Sequence, residues 1–485
     1  VVRGARIAIA AVVVVTLVRV ASTHRTFSAT IDEPAHVAAG FEWLEGTYEL
    51  DIEHPPLSRA LAALPLWLEG AKAPATPDWI ARGNALLLNG ARYVHNVALV
   101  RKGNLLFLAL ALIGVAAWAW HLFGAAEAIA ATVIYASLPP ILAHAGLATT
   151  DMAAAATIPL SLYALTRWLD SPTLRRAVLL GLACGIGALS KFSFVLLFPL
   201  GAAIAIAFRF RRVPFRWRDI AAAVAIALLI VAIGYRFDLR TFIDGILAVK
   251  AHDERGHHAF LFGELRTEGW WYYFPVALFF KSPLPLFALA IAGLGWRLRM
   301  TLEVVLIAAA MLAATMPSSI NIGVRHLLPL YAPLAIAAAA GGVTLWRKGI
   351  VPRAIGGAFA LWLVIGSALA HPDYLPWFNE AAGSHPERIL ADSNLDWGQD
   401  ILRLRRVCRD EKITRLTAQL FTSAPLPQLG LPPLDAADTA TVARGWIAIS
   451  ETSYQALGGD GRAYRWLHGR PYRRIGKSIR LYHAP

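Results

Sequence analysis

Charge is scarce in this chain. Only 16% of its 485 residues are Asp, Glu, Lys or Arg, against about 25% in a typical soluble domain, while 57% are hydrophobic. A soluble globular fold is excluded. Cysteine is nearly absent: Cys184 falls in an apolar run and Cys408 in the tail, so neither a disulfide framework nor a cysteine metal site is expected. No tandem repeat is visible. The chain also lacks a Walker sequence and a dinucleotide-binding glycine fingerprint, which argues against a soluble nucleotide ligand.

What the chain has in quantity is apolar sequence. Runs long enough to span lipid recur through its first three quarters, as in a polytopic membrane protein. The segments 5–22, 97–120, 126–142, 150–168, 177–190, 193–208, 219–235, 271–296, 301–316, 327–345 and 354–370 read as about eleven spans. The first resembles a signal-peptide core without a clear cleavage site and reads as a retained helix. With the N-terminus inside, the cytoplasmic connections become 167–176, 208–218, 297–299 and 347–353, the most basic short loops in the chain. That agreement supports separate fifth and sixth spans, split at "SKFS" (190–193). The net charge of +14 is then largely topology signal and contact with anionic membrane lipids, and no nucleic-acid partner is expected.

The outer face collects the unusual sequence. A long loop, 23–96, carries two short interfacial helices, "EPAHVAAGFEWLEG" and "LSRALAALPLWLEG". The chain divides into a membrane domain, 1–370, and an extracytoplasmic domain, 371–485. The latter reads as a small α/β unit with a helix near 398–408, strands near 414–421, 445–450 and 472–483, and a Pro-rich connection.

Several titratable residues share that face. Asp32 and Glu33 open a helix, where carboxylates cap and favour the dipole. Two acids with His36 four residues after Asp32 also suit general-base work or metal ligation. His54 precedes a proline pair, as a rigid turn or as a donor to an anionic head group. Asp151 opens the fourth span, as a helix-start acid or as a second carboxylate serving a divalent cation. Lys191, Lys281 and Arg325–His326 either snorkel to the interface or ring an anion, for which phosphate has the right geometry. "AHDERGHHAF" (251–260) reads as a solvated mobile loop, with acceptor gating or metal binding as the alternative. "ADSNLDWGQD" (391–400) reads as a turn entering a helix.

Together "IDEPAH", "EHPPL", "TTDMA", "GALSKFS", "FFKSPLP", "NIGVRHLLPLY" and the outer "YLPWFNEAAGSHPERILADSNLDWGQDI" resemble the GT-C superfamily of polytopic glycosyltransferases. The likeness is to its protein O-mannosyltransferase and aminoarabinose transferase type (glycosyltransferase family 39 and bacterial relatives). The resemblance implies a mainly α, GT-C-like bundle in the inner (plasma) membrane, with the C-terminal domain outside. It implies a sugar donor carried on a polyprenyl phosphate or pyrophosphate and an acceptor that is a protein, lipid or glycan. By analogy Asp32 deprotonates the acceptor, with Glu33 and Asp151 as further catalytic carboxylates and inversion at the anomeric carbon. His54, Lys191, Lys281, Arg325 and His326 would surround the leaving phosphate. Some relatives bind a divalent metal at this face, so Mg, Mn or Zn on Asp32 and Asp151 stays open. Here His54 stands where several relatives carry Lys. A transporter or flippase of a lipid-linked substrate is the alternative, but it would place charge near the midplane within repeated halves. A non-catalytic envelope assembly protein would leave the paired acids unexplained.

Overall fold

Backbone groups facing lipid must satisfy one another, so apolar runs of this length fold as helices. A computed structural model describes residues 2–74, 76–209, 216–295, 298–458 and 463–484. Helices occupy all eleven expected segments: Val2–Ala21, Lys102–Leu122, Ala125–Ala136 with Pro139–Ala145, Asp151–Asp170, Leu174–Ala188, Ser193–Ala207, Trp217–Gly234, Tyr273–Lys281 with Leu284–Leu294, Leu298–Thr315, Tyr331–Arg347 and Ile350–Leu369. Among the described residues six helices are long and apolar enough to cross a membrane, or eight if each bent pair is one span. Asp151–Asp170, Leu174–Ala188 and Ser193–Ala207 are shorter or more polar. Val14, Val15, Val18, Leu228, Ile233, Ile350 and Leu369 are exposed on the outside of the bundle, as lipid-facing residues are.

Two expected spans are not straight. The segment 126–142 bends by 67° at Ser137–Leu138, and 271–296 bends by 102° at Ser282–Pro283. Proline explains both, since it removes a helical donor and pushes the preceding residue out of the α region. The second elbow holds Lys281 at its corner. The expected span 97–120 is also revised, because a separate helix, Tyr93–Val100, precedes Lys102–Leu122 with Arg101 at the joint. The split at Lys191 stands, with one helix ending at Ala188 and the next starting at Ser193. Of the expected cytoplasmic loops, residues 210–215 and 297 lie outside the described residues.

The first outer loop forms helices Glu33–Glu45, Pro56–Leu68 and Trp79–Leu88. The first two pack closely because Gly40 has no side chain; a Cβ there would sit 2.0 Å from the carbonyl oxygen of Arg59. The segment 251–260 is ordered rather than loose. It ends helix Leu239–Arg255 and enters a hairpin of β1 (Ala259–Leu261) and β2 (Glu264–Arg266). Asp253 fastens it by accepting from Ser318 Oγ at 2.6 Å and Ser319 N at 3.0 Å.

Towards the C-terminus, helix Ile401–Asp410 leads into a five-stranded sheet. Its strands are β3 (Leu416–Gln419), β4 (Leu434–Ala436), β5 (Gly445–Ser450), β6 (Arg473–Ile475) and β7 (Ile479–Ala484), in the order β4-β3-β5-β7-β6. β3 runs parallel to β4 and β5, and β7 runs antiparallel to β5 and β6. β4 closes the Pro-rich connection, where sequence pattern shows no strand. The single strand expected over 472–483 is a hairpin turning at Gly476, whose φ is +58°. Residues 371–400 are not part of the sheet. Tyr374, Leu375, Leu390 and Trp397 share the hydrophobic cluster of the membrane helices. Ser28 N donates to Gln399 O and Ile31 N to Trp397 O, both at 3.0 Å, so this segment roofs one end of the bundle.

Candidate active site

Under that roof the structure brings together acids and cations far apart in sequence. Asp32 precedes helix Glu33–Glu45, and Arg325 lies in the 3₁₀ turn Val324–Leu330. Arg325 Nη1 donates to Asp32 Oδ2 at 2.7 Å. The guanidinium also lies over the buried ring of Trp397, 4.4 Å from its centroid, and its Nε is buried without a partner. Arg325 is thus held on a flat aromatic face with one donor unused.

Asp151, at the start of Asp151–Asp170, forms the second pair. Lys191 Nζ donates to its Oδ1 at 2.5 Å and Thr149 Oγ1 to its Oδ2 at 2.9 Å. His144, from the short limb Pro139–Ala145, has Nδ1 3.8 Å from Asp151 Oδ2. His326 is next to Arg325; its Nε2 is buried without a partner and its ring meets the edge of Phe274, with centroids 6.0 Å apart.

Two expected site residues are fully engaged within the protein. Glu33 is buried and takes two hydrogen bonds from Arg101, Nε to Oε1 at 2.8 Å and Nη2 to Oε2 at 2.7 Å. Ala148 N and Thr30 N add bonds at 2.8 and 2.7 Å. Burial alone raises a carboxyl pKa, but here Arg101 and the two amides outweigh it and hold Glu33 below its usual range. Lys281 is also buried. It donates to the carbonyls of Leu375 at 2.8 Å, Asn394 at 2.6 Å and Trp377, and lies over the Phe378 ring. Three carbonyls match the three N–H bonds of an ammonium, so Lys281 ties the elbow to the roof.

His54 stands in a separate cluster beside the first pair. Its Nδ1 is 3.2 Å from Asp51 Oδ2, and its ring meets His36 edge-on with centroids 4.9 Å apart. Arg59, from helix Pro56–Leu68, braces this turn, with Nη1 on Asp51 Oδ2 at 2.6 Å and Nη2 on Asp51 O at 2.7 Å. Nη2 also reaches Tyr48 Oη and His54 O. Burial raises the Asp51 pKa, but His54 and Arg59 prevail and hold it well below the carboxylate range. Burial, reinforced by the charge of His54, pushes the His36 imidazole down to about 3.

Sequence reasoning passed over Asp51, Arg59, Arg101 and Asp392. Asp392 is a non-glycine residue at φ +54° in the stretch read as a plain turn. Burial pushes its carboxyl up to about 6 although Arg325 pulls the other way. Neighbouring Asn394 ties the roof to the bundle, donating to Tyr273 Oη and accepting from Val324 N, both at 2.9 Å. A run of acids with Asn and Gly gave no hint of that, because turns have the same composition.

As to metals, Asp32 and Asp151 each face a fixed cation. The one group of three metal-type ligands among the described residues is His36, Asp51 and His54.

Comparison with known proteins bears on the fold. Residues 53–235 match the family model of dolichyl-phosphate-mannose-protein mannosyltransferases. Two crystal structures of ArnT from Cupriavidus metallidurans superpose with a TM-score of 0.54 over 97% of both chains. They are the form bound to undecaprenyl phosphate, at 14% identity, and the apo form, at 15%. No curated protein sequence matches the chain. The GT-C resemblance read from the motifs is borne out by the family match and by the fold, and the chain is a multi-pass membrane protein.

Proposed function

We propose that this protein is a membrane glycosyltransferase that moves a sugar from a polyprenyl-phosphate (or pyrophosphate) donor to an acceptor on the extracytoplasmic face. The observation that carries the reading is the juxtaposition of Asp32 on Arg325 and Asp151 on Lys191, at one end of the bundle beneath a folded roof. Support for the donor class comes from the family match and from the ArnT structure whose ligand is undecaprenyl phosphate. The basic loops of the sequence support a cytoplasmic N-terminus and a roof outside the inner membrane.

In this reading Arg325 has two partners in turn. Without donor it holds Asp32. A donor phosphate, with more charge and more oxygens, draws the guanidinium away through its unused Nε, and the Asp32 oxygen that Arg325 held is free to accept a proton. Asp32 then takes the proton of the acceptor hydroxyl or amine, whose lone pair attacks the anomeric carbon in line. The bond from that carbon to the phosphate oxygen breaks, and polyprenyl phosphate leaves with the electron pair, inverting the centre. Negative charge grows on the leaving phosphate, so Arg325 and Lys191 stabilise the transition state more than the ground state. Asp151 keeps Lys191 in place. His326 and His54 border the phosphate region, while Glu33 and Lys281 hold the first loop and the roof in register.

The test is sugar transfer in proteoliposomes with a defined polyprenyl-phosphate sugar. Asp32→Asn should abolish transfer while leaving the thermal melt and donor binding in place; full activity in that variant would sink the base assignment.

A further inference from the structure

Beside the two acid–cation pairs lies a cluster that shares only His54 with the proposed phosphate region. We propose that His36, Asp51 and His54 form a divalent transition-metal site of zinc type. His36 comes from helix Glu33–Glu45, and Asp51 and His54 from the turn before Pro56–Leu68. One ligand atom from each lies within 4.8 Å of the others.

Independent support comes from His36 itself. The residue is only 4% exposed and its Nδ1 is buried with no hydrogen-bond partner. A buried polar atom without a partner is destabilising, and an ion is a partner that the surrounding side chains can hold. The ring faces His54 edge-on, so the unsatisfied imidazole belongs to the cluster.

One separation already suits an ion, while the atoms of the cluster as a whole lie within 4.8 Å and Asp51 Oδ2 also accepts from Arg59 Nη1 at 2.6 Å. Zn–N bonds of about 2.0–2.1 Å place tetrahedral ligand atoms roughly 3.3 Å apart. His54 Nδ1 and Asp51 Oδ2 are already 3.2 Å apart, bridged by a proton that a metal ion would replace. His54 is partly exposed, at 31% of its side chain, which gives the ion a way in and the ring freedom to turn. Arg59 is the outer support. Its bonds to Asp51 and the His54 carbonyl fix the turn, as hydrogen-bond partners behind metal ligands do. Two imidazoles and one carboxylate favour zinc over magnesium, which takes oxygen ligands. Three protein ligands leave a fourth position for water or a substrate oxygen.

The site can be tested without donor or acceptor, so its failure is separate from failure of the transfer reading. Purified protein in detergent, stripped by chelator, is titrated with Zn²⁺ and its metal content measured by mass spectrometry. One zinc per chain is expected, with His36→Gln and His54→Gln each raising the Kd by more than about 100-fold. His252→Gln, which removes the neighbouring His252–Glu53 contact of 2.9 Å, should keep the zinc. X-ray absorption of the zinc-loaded wild-type protein needs no variant and should show two imidazoles in an N/O shell. Failure to bind zinc, retention of it in both histidine variants, or an all-oxygen shell would overturn the site.

Discussion

Arg325 Nη1 lies 2.7 Å from Asp32 Oδ2, joining residues 293 positions apart. In the proposed mechanism the pairing sets the resting state of the site, because Arg325 occupies the carboxylate oxygen that would take the acceptor's proton. Donor binding should therefore switch on Asp32, and the two events should be coupled.

Arg325→Lys tests that coupling. Lysine keeps the charge but loses the planar fork and its second donor. Donor affinity should fall by about tenfold or more, and transfer at saturating donor should fall further. Binding and transfer measured separately distinguish this from a uniform binding loss; an unchanged ratio of the two would remove Arg325 from the chemistry.

Lys191→Met should leave Asp151 as a buried, unpaired charge. Breaking a buried pair costs about 3–5 kcal/mol, and a lower melting temperature should show it. The double variant Lys191→Met with Asp151→Asn should regain much of that stability yet stay inactive. Recovered activity would mean the pair is only architectural.

Glu33 and Arg101 should behave in the opposite way. Glu33→Gln alone destabilises, since it weakens the five hydrogen bonds that the buried carboxylate accepts, two of them from Arg101. The residual activity per folded molecule should stay near wild type. Loss of transfer without loss of thermal stability would restore a chemical role to Glu33.

Asp396 predicts a pH effect in the roof. Burial raises its pKa to about 7, although Thr452 N and Gly398 N donate to it at 2.9 and 3.2 Å. In the unfolded chain it ionises near 3.8. The folded state therefore binds the extra proton between these values, and its contribution to stability is lost as pH rises through that window. Protection factors of 391–400, taken relative to the intrinsic exchange rate at each pH, should fall from pH 4 to 7, and Asp396→Asn should flatten the profile.

Much of this architecture could be read in advance. Hydrophobic runs placed eleven helices to within a few residues, since the demand for internal backbone bonding leaves no other structure for such sequence. Charge placement also pointed to one end of the bundle: Asp32, Asp151, Lys191 and Arg325 were all expected on one face, and there they form the pairs Asp32–Arg325 and Asp151–Lys191. Proline marked the elbows only faintly. Pro139 and Pro283 bend their segments because the helices around them pack well enough to hold the turn, and packing is not a local property.

Which charges are free and which are engaged was decided by tertiary structure. In sequence Asp32 and Glu33 are adjacent acids, equally good as caps or bases. In the fold, one meets Arg325 at a half-exposed edge and the other is locked by Arg101 in the interior. Lys281 and Lys191 are likewise both single lysines at helix ends. One donates to three carbonyls of the roof and the other to a buried carboxylate. Hydropathy and charge order determine where a membrane chain turns and which face gathers its polar groups. The partner of each polar group depends on contacts across hundreds of residues, and these exist only once the helices and the roof have packed.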